Sequence, residues 1–224
     1  MALPGLDGHK WNDLASCPHH RCLYVSDCEG RCVRRVCLDG GTEDRKWPVS
    51  DRPRGLSVVE GTRHILVTCV GARKVVELGP DGDLVREVSF QTDVELPWHT
   101  LAAAARSTRV RSADLLLVSH GLAASLHRVC YVDTDGRVVS SFGDGRGCDV
   151  TRLNIPCHVT IGDRCLYVAD YSNRRVVELR LGDCLAFSRI VVDGLTSEPR
   201  RLHFDRVTRR LYVANGNGVS VVQL

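Results

Sequence analysis

Cys22 to Leu38 reads CLYVSDCEGRCVRRVCL, and Cys165 to Leu181 reads CLYVADYSNRRVVELRL. Laid side by side without a gap, the two stretches share Cys-Leu-Tyr-Val, an Asp two residues on, and then aligned Arg, Val and Leu. Eight shared positions in so short a window mark an internal repeat. Repeats govern everything else, because a repeated unit buries its core against its neighbours rather than within itself.

Working outward, the central phrase recurs as Leu23-Tyr24-Val25, Ile65-Leu66-Val67, Leu116-Leu117-Val118, Leu166-Tyr167-Val168 and Leu211-Tyr212-Val213, spaced about 42 to 51 residues apart. That period is the length of a four-stranded propeller blade. Most units open on a proline (Pro53, Pro97, Pro156, Pro199), with Trp11 at the corresponding place in the first. A short strand-like run follows each opening, such as Gly55 to Val59 or His158 to Ile161. Lys74 to Leu78, Arg128 to Val132 and Arg175 to Leu179 read as third strands, and Leu84 to Val88, Arg137 to Phe142 and Ser188 to Val192 as fourth strands. All are short, rich in Val and Ile, and bounded by Gly, Asp and Pro. Asp81-Gly82 and Asp135-Gly136 fall between third and fourth strands, where a hairpin turn needs positive φ. The alanine run from Leu101 to Arg106 reads as a strand and its loop.

The expected fold is therefore all-β, a β-propeller of four-stranded antiparallel blades, about five in this chain. Residues 1–10 form a short leader, and residues 11–224 divide into units at 11–52, 53–96, 97–155, 156–198 and 199–224. The last unit ends after its third strand, so the ring is either five-bladed or five blades of a six-bladed ring.

The 224 residues are 43% hydrophobic and 25% charged with a net charge of +3, ordinary for a globular chain and too balanced to select nucleic acid or an anionic membrane as partner. The first ten residues lack a charged start followed by an apolar stretch, and no apolar run is long enough to span a bilayer, so the expected location is cytoplasmic. There the 11 cysteines are expected as thiols packed like small hydrophobes. Cys17, Cys22, Cys28, Cys32 and Cys37 with His19 and His20 contain no Cys-x-x-Cys knuckle, which argues against structural zinc; a Cys17–Cys22 bridge would need an oxidising setting.

One motif identifies a family. Asp170-Tyr171-Ser172-Asn173-Arg174-Arg175-Val176 resembles the NHL repeat signature: an Asp ends one strand, an Asn takes the tight turn, and Arg-Val begins the next strand. Asp can bind turn amides, Asn tolerates the left-handed conformation, and the Arg stem can cover apolar surface while its head reaches a carboxylate. The first unit keeps Asp27 and Val33 but has Gly30 and Cys32; the second has Cys69, Ala72 and Lys74; the fifth has Asn215. The resemblance implies a propeller whose relatives include substrate-binding ends of tripartite-motif ubiquitin ligases, RNA-binding repressors and a peptide-amidating lyase. The expected role is a non-catalytic protein-binding platform, with RNA binding and a metal-dependent lyase as alternatives, and without DNA or membrane as partner. No catalytic residue, metal or cofactor is assigned.

The candidate binding residues are Trp98, His99, His158, Tyr171, Arg200 and Arg201. The third place counted from each opening residue holds Asp13, Gly55, His99, His158 and Arg201, and this place lies on the innermost strand. Imidazoles at equivalent places on adjacent blades suit zinc, yet a catalytic zinc usually takes three protein ligands, so backbone-bonded polar residues are the expected role. Arg106, Arg109 and Arg111 share one loop, and Arg200, Arg201, Arg206, Arg209 and Arg210 lie in one unit, an arrangement suited to phosphate were exposed aromatics beside it. Ser119-His120 lacks a nucleophile elbow, and Gly143 to Gly147 reads as an inter-blade loop.

Overall fold

The computed structural model describes residues 11–39, 45–103, 115–121 and 126–224. The leader at residues 1–10, the end of the alanine run, and Arg106, Arg109 and Arg111 lie outside the described residues. Five antiparallel sheets are present among the described residues, each with its strands in chain order, as hairpin-linked meanders require.

The chain divides into two compact units, Met1–Ser89 and Phe90–Leu224. The first holds β1 (Trp11–Cys17), β2 (Cys22–Asp27), β3 (Cys32–Cys37) and β4 (Arg45–Pro48) in one sheet, and β5 (Pro53–Val58), β6 (Ile65–Cys69), β7 (Lys74–Leu78) and β8 (Leu84–Ser89) in the next. The second holds β9 (Pro97–Ala102), β10 (Leu116–His120), β11 (Arg128–Val132) and β12 (Val138–Phe142); then β13 (Pro156–Ile161), β14 (Cys165–Asp170), β15 (Arg175–Arg180) and β16 (Ala186–Val192); and last β17 (Pro199–Asp205), β18 (Arg210–Asn215) and β19 (Gly218–Gln223). Four sheets thus have four strands and the fifth has three.

Each recurring Leu-Tyr-Val phrase lies on the second strand of its sheet. β6 and β10 are buried at every residue, which explains why these strands read as apolar without alternation. In the first unit Tyr24, Val33 and Trp47 pack with Leu56, Ile65 and Val67. In the second, Leu117, Val129 and Leu153 meet Val159, Leu166 and Val177, while Tyr167, Val176, Leu202, Phe204 and Leu211 fill another cluster. Each such buried aliphatic or aromatic side chain contributes about 1.5–3 kcal/mol.

The expected hairpin glycines do take positive φ, +94° at Gly82 and +76° at Gly136. The expected left-handed asparagine does not. In the Asp170–Arg175 turn, Tyr171–Asn173 form a single 3-10 turn and Arg174 is the left-handed residue, at φ +50°. Arginine recurs at this place, as Arg31 and Arg73 at positive φ, and Arg21, Arg63 and Arg209 take positive φ in the turns between first and second strands. The Arg shared by the two opening stretches, Arg31 and Arg174, is therefore a turn residue, and Asn173 uses its side chain instead.

Candidate functional site

The innermost strands share one irregularity. The opening residue pairs with the last residue of the second strand in all five sheets: Trp11 with Asp27, Pro53 with Cys69, Pro97 with His120, Pro156 with Asp170 and Pro199 with Asn215. A register shift follows at once in each, and the ladder resumes at or just after the third residue. A bulge adds a residue and re-aims the side chain after it. His99, His158 and Arg201 are the residues that the second unit presents in this way, opposite Ser119, Ala169 and Ala214.

His99 and His158, on strands β9 and β13, stack with ring centroids 3.9 Å apart and planes 29° apart. Both are buried, at 2% and 7% exposure. The Leu202 amide donates to His158 Nδ1 at 3.3 Å, so the neutral ring carries its proton on Nε2. Burial, then the neighbouring His99 and Arg201, hold His158 well below the ordinary imidazole range, so it is neutral at pH 7. The same acceptor role recurs in the first unit, where the Leu56 amide donates to Asp13 Oδ2 at 2.9 Å. The expectation of polar inner-strand residues bonded to backbone is met at Asp13 and His158.

The approach to His158 is held under backbone strain. Ile155, just before Pro156, sits at φ +60°, and Leu96, just before Pro97, at φ +47°. A β-branched residue is a rare occupant of that region. The Ile155 amide donates to His127 Nδ1 at 2.9 Å, and its carbonyl accepts from the Tyr171 amide at 3.2 Å. The Asn154 amide donates to Asp170 Oδ1 at 2.6 Å. Arg175 then ties the whole loop. Its Nε donates to Asp170 Oδ2 at 2.7 Å, and its terminal nitrogens donate to the carbonyls of Cys148, Asp149 and Arg152 at 2.7, 2.9 and 2.8 Å. Asn173 Nδ2 adds bonds to Asp170 Oδ2 at 2.8 Å and to the Gly147 carbonyl at 2.7 Å.

Equivalent places in other sheets solve the same problem with other chemistry. Asp27 accepts from the Gly30 amide at 2.7 Å and pairs with Arg34 at 3.4 Å, so an Arg two residues further along β3 stands in where Cys32 replaces the motif Arg. In the third sheet His120 takes the Asp place, and Arg128 Nε donates to its Nε2 at 2.9 Å. Burial first, then Arg128, lower His120 to about 4. Neither substitute was visible in the motif comparison, because one is displaced along the strand and the other exchanges a carboxylate for an imidazole.

The remaining candidates lie in the second unit. Trp98 is half-buried, and its indole donates to the Gly121 carbonyl at 3.2 Å. Arg200 is exposed, lies 5.5 Å from the centre of the Tyr171 ring, and donates to the Tyr171 hydroxyl at 3.3 Å. Trp98 and Tyr171 both pack against one apolar cluster. Arg201, half-buried, donates to the Arg200 carbonyl at 2.7 Å. Trp98 is thus less open for base stacking than an RNA-binding reading requires.

Zinc commonly takes imidazole ligands, but the second unit offers two stacked rings, one with Nδ1 already accepting an amide. A ring that accepts at Nδ1 presents a proton, not a lone pair, at Nε2. Beside it stands the Arg201 cation. Among the described residues of this unit, the two rings by themselves supply fewer than the three protein ligands that a catalytic zinc usually takes.

No family model matches the chain, and no curated protein matches it. The NHL reading therefore rests on its motif. Among solved structures the chain is similar to a gluconolactonase from Xanthomonas campestris, at 17% identity and TM-score 0.72, covering 96% of this chain and 73% of that one. It is similar to a catalytically inactive histidine-to-alanine form of virginiamycin B lyase from Staphylococcus aureus with quinupristin, at 14% identity and TM-score 0.68, covering 99% of this chain and 68% of that one. It is also similar to a nidogen/laminin complex structure, at 18% identity and TM-score 0.72, covering 96% of this chain and 76% of that one. The expectation that the chain is not an enzyme is corrected by these likenesses, since two of the three are named as enzymes. At such identities the likeness carries fold alone: the chain is all-β, built of β-propeller blades, with structural neighbours among the gluconolactonase and virginiamycin B lyase propellers.

Proposed function

We propose that the chain is an enzyme of lyase or lactone-opening type, with His99 and His158 at the chemical step; this keeps the lyase of the sequence alternative but not its metal dependence. The observation that carries this is the stacked, buried histidine pair delivered by two bulged strands, with His158 held neutral. The His158 Nε2–H serves as donor to a substrate oxygen, which leaves the general-base role to the His99 ring. Arg201, beside His158, supplies positive charge where an oxyanion or a substrate carboxylate develops. The enzymes named among the neighbours support this class: one opens a lactone by its name, and the other is inactivated by loss of a histidine.

The test is turnover of a panel of sugar lactones and cyclic ester peptides by the full chain, with and without a metal chelator. His158→Ala and His99→Ala are each expected to lower kcat by at least a hundredfold while leaving the melting temperature within a few degrees. Turnover that persists in both variants refutes the assignment. Activity that appears only with added metal refutes the acid–base role in favour of metal-dependent chemistry.

A finer placement, among NHL-type propellers, is supported by the Asp170–Asn173–Arg175 arrangement, where each motif residue has a bonding role. A protein partner is a second proposal, favoured by the exposed Arg200 set over the half-buried Tyr171 ring. Capture of partners that is unchanged by Arg200→Ala with Tyr171→Ala would reject that face.

A further inference from the structure

Three thiols form a row across the first sheet. In register, Cys17 on β1 faces Cys22 on β2, and Cys22 faces Cys37 on β3. Directly opposed residues point to the same side of a sheet, so all three sulfurs share one face. The two pairs are not equivalent. The Leu38 amide donates to the Arg21 carbonyl at 2.9 Å. That bond brackets Cys22 and Cys37, which makes them a non-hydrogen-bonded pair, with α-carbons about 4.5 Å apart and side chains at closest approach. The alternation turns the Cys22 amide and carbonyl towards β1, so Cys17 and Cys22 form the wider, hydrogen-bonded pair. A disulfide needs α-carbons about 4.4–6.8 Å apart with β-carbons near 3.8 Å, a demand met best by the close pair.

The surroundings favour reaction at the same pair. Cys22 is buried and Cys37 half-buried, so a reagent meets Cys37 first. The Arg35 guanidinium, two residues before Cys37 on β3, lies near both thiols. Cys17 has another neighbour, His20 Nδ1 at 3.3 Å.

We propose that Cys22 and Cys37 are a reversible cross-strand disulfide site, oxidised by a small-molecule disulfide of the glutathione type. The Cys37 thiolate attacks one sulfur of the oxidised tripeptide, breaking its S–S bond, forming a mixed disulfide and releasing one tripeptide thiol. The Cys22 thiolate then attacks the Cys37 sulfur and expels the second tripeptide thiol. The protein loses two hydrogens, the small disulfide gains them, and reduction runs the same steps backwards. The product ties β2 to β3 at the end of the sheet away from the Asp27–Cys32 turn.

The test uses the full chain, reduced and then equilibrated against graded ratios of oxidised to reduced glutathione. It is quenched with a maleimide, digested, and read by tandem mass spectrometry. The expected result is a Cys22–Cys37 link, a protein mass lower by about two daltons before labelling, and two fewer maleimides. Cys17→Ser is expected to leave the link in place. A dominant Cys17–Cys22 link, or full maleimide labelling of both Cys22 and Cys37 under oxidised glutathione alone, overturns the proposal. Because the wild-type map decides the matter by itself, a variant that fails to fold does not blunt the test.

Discussion

Arg175→Ala should be among the most damaging single substitutions in the second unit, and the structure sets its size. The Arg175 and Asp170 side chains are 5% and 0% exposed and pair at 2.7 Å. Removing the guanidinium leaves a buried carboxylate whose remaining donors are the Asn154 amide and Asn173 Nδ2. Breaking a buried pair from one side costs about 3–5 kcal/mol. The carbonyls of Cys148, Asp149 and Arg152 also lose their donor, but they lie on a loop that water can reach, so their loss adds little. With about 2–4 °C of melting temperature per kcal/mol in a chain of this size, the expected fall is roughly 6–20 °C. Burial already pushes Asp170 above the usual carboxylate range, against the downward pull of Asn154, Asn173 and Arg175. Deleting Arg175 raises it further, so Asp170 in the variant takes up a proton at higher pH than in the parent. The variant's deficit should therefore shrink as pH falls through that titration, because a neutral carboxyl no longer needs the cation. Urea denaturation at several pH values, with hydrogen exchange at the Asn154 amide, reads both effects. A loss under about 1 kcal/mol at pH 7 with the Asn154 amide still protected would refute the latch.

Other perturbations test separate parts of the structure. His120, lowered to about 4 by burial and Arg128, contributes stability that is full above its unfolded value near 6.5 and is lost as pH falls towards 4, about 3 kcal/mol in all; His120→Gln should flatten that slope in acid denaturation. Gly82→Ala should cost about 2–3 kcal/mol, since φ is +94° and a β-carbon there would run into the Trp47 indole; thermal melts, with a red-shifted tryptophan emission, check it. Arg73→Gly should stabilise the first unit by about 0.5–1 kcal/mol, because Arg73 is exposed and left-handed at φ +48°; a fall in stability would mean that its side chain matters more than its backbone.

The repeat period, the strand-bearing phrases and the hairpin glycines were legible because each follows from local rules: apolar runs, β-branched residues and turn pairs. The bulge was half legible. Counting three residues from the opening proline found His99, His158 and Arg201, but the sequence does not show why that place differs from its neighbours; the register shift does. The left-handed arginines were not legible, since nothing in an Arg side chain announces positive φ, and Asn173 was the natural reading of that turn. The stand-ins Arg34 and His120 were hidden because they conserve a charge or a hydrogen bond in space rather than a letter at a position.

The NHL-like motif and the histidine pair look like separate features, one structural and one functional, yet the bonds join them. Arg175 and Asn173 hold the loop carbonyls, Asp170 holds the Asn154 amide, and the strained Ile155 follows at once, pinned by His127 and Tyr171. Pro156 then fixes the backbone angle at the opening of β13, and the bulge places His158 against His99. A left-handed Ile is costly and persists only when its surroundings over-determine it. Weakening the latch should therefore let Ile155 relax and turn the His158 ring before the sheet itself melts. On this reasoning Arg175→Lys, which keeps the charge but loses the fork that reaches several carbonyls, should reduce turnover more than it reduces stability.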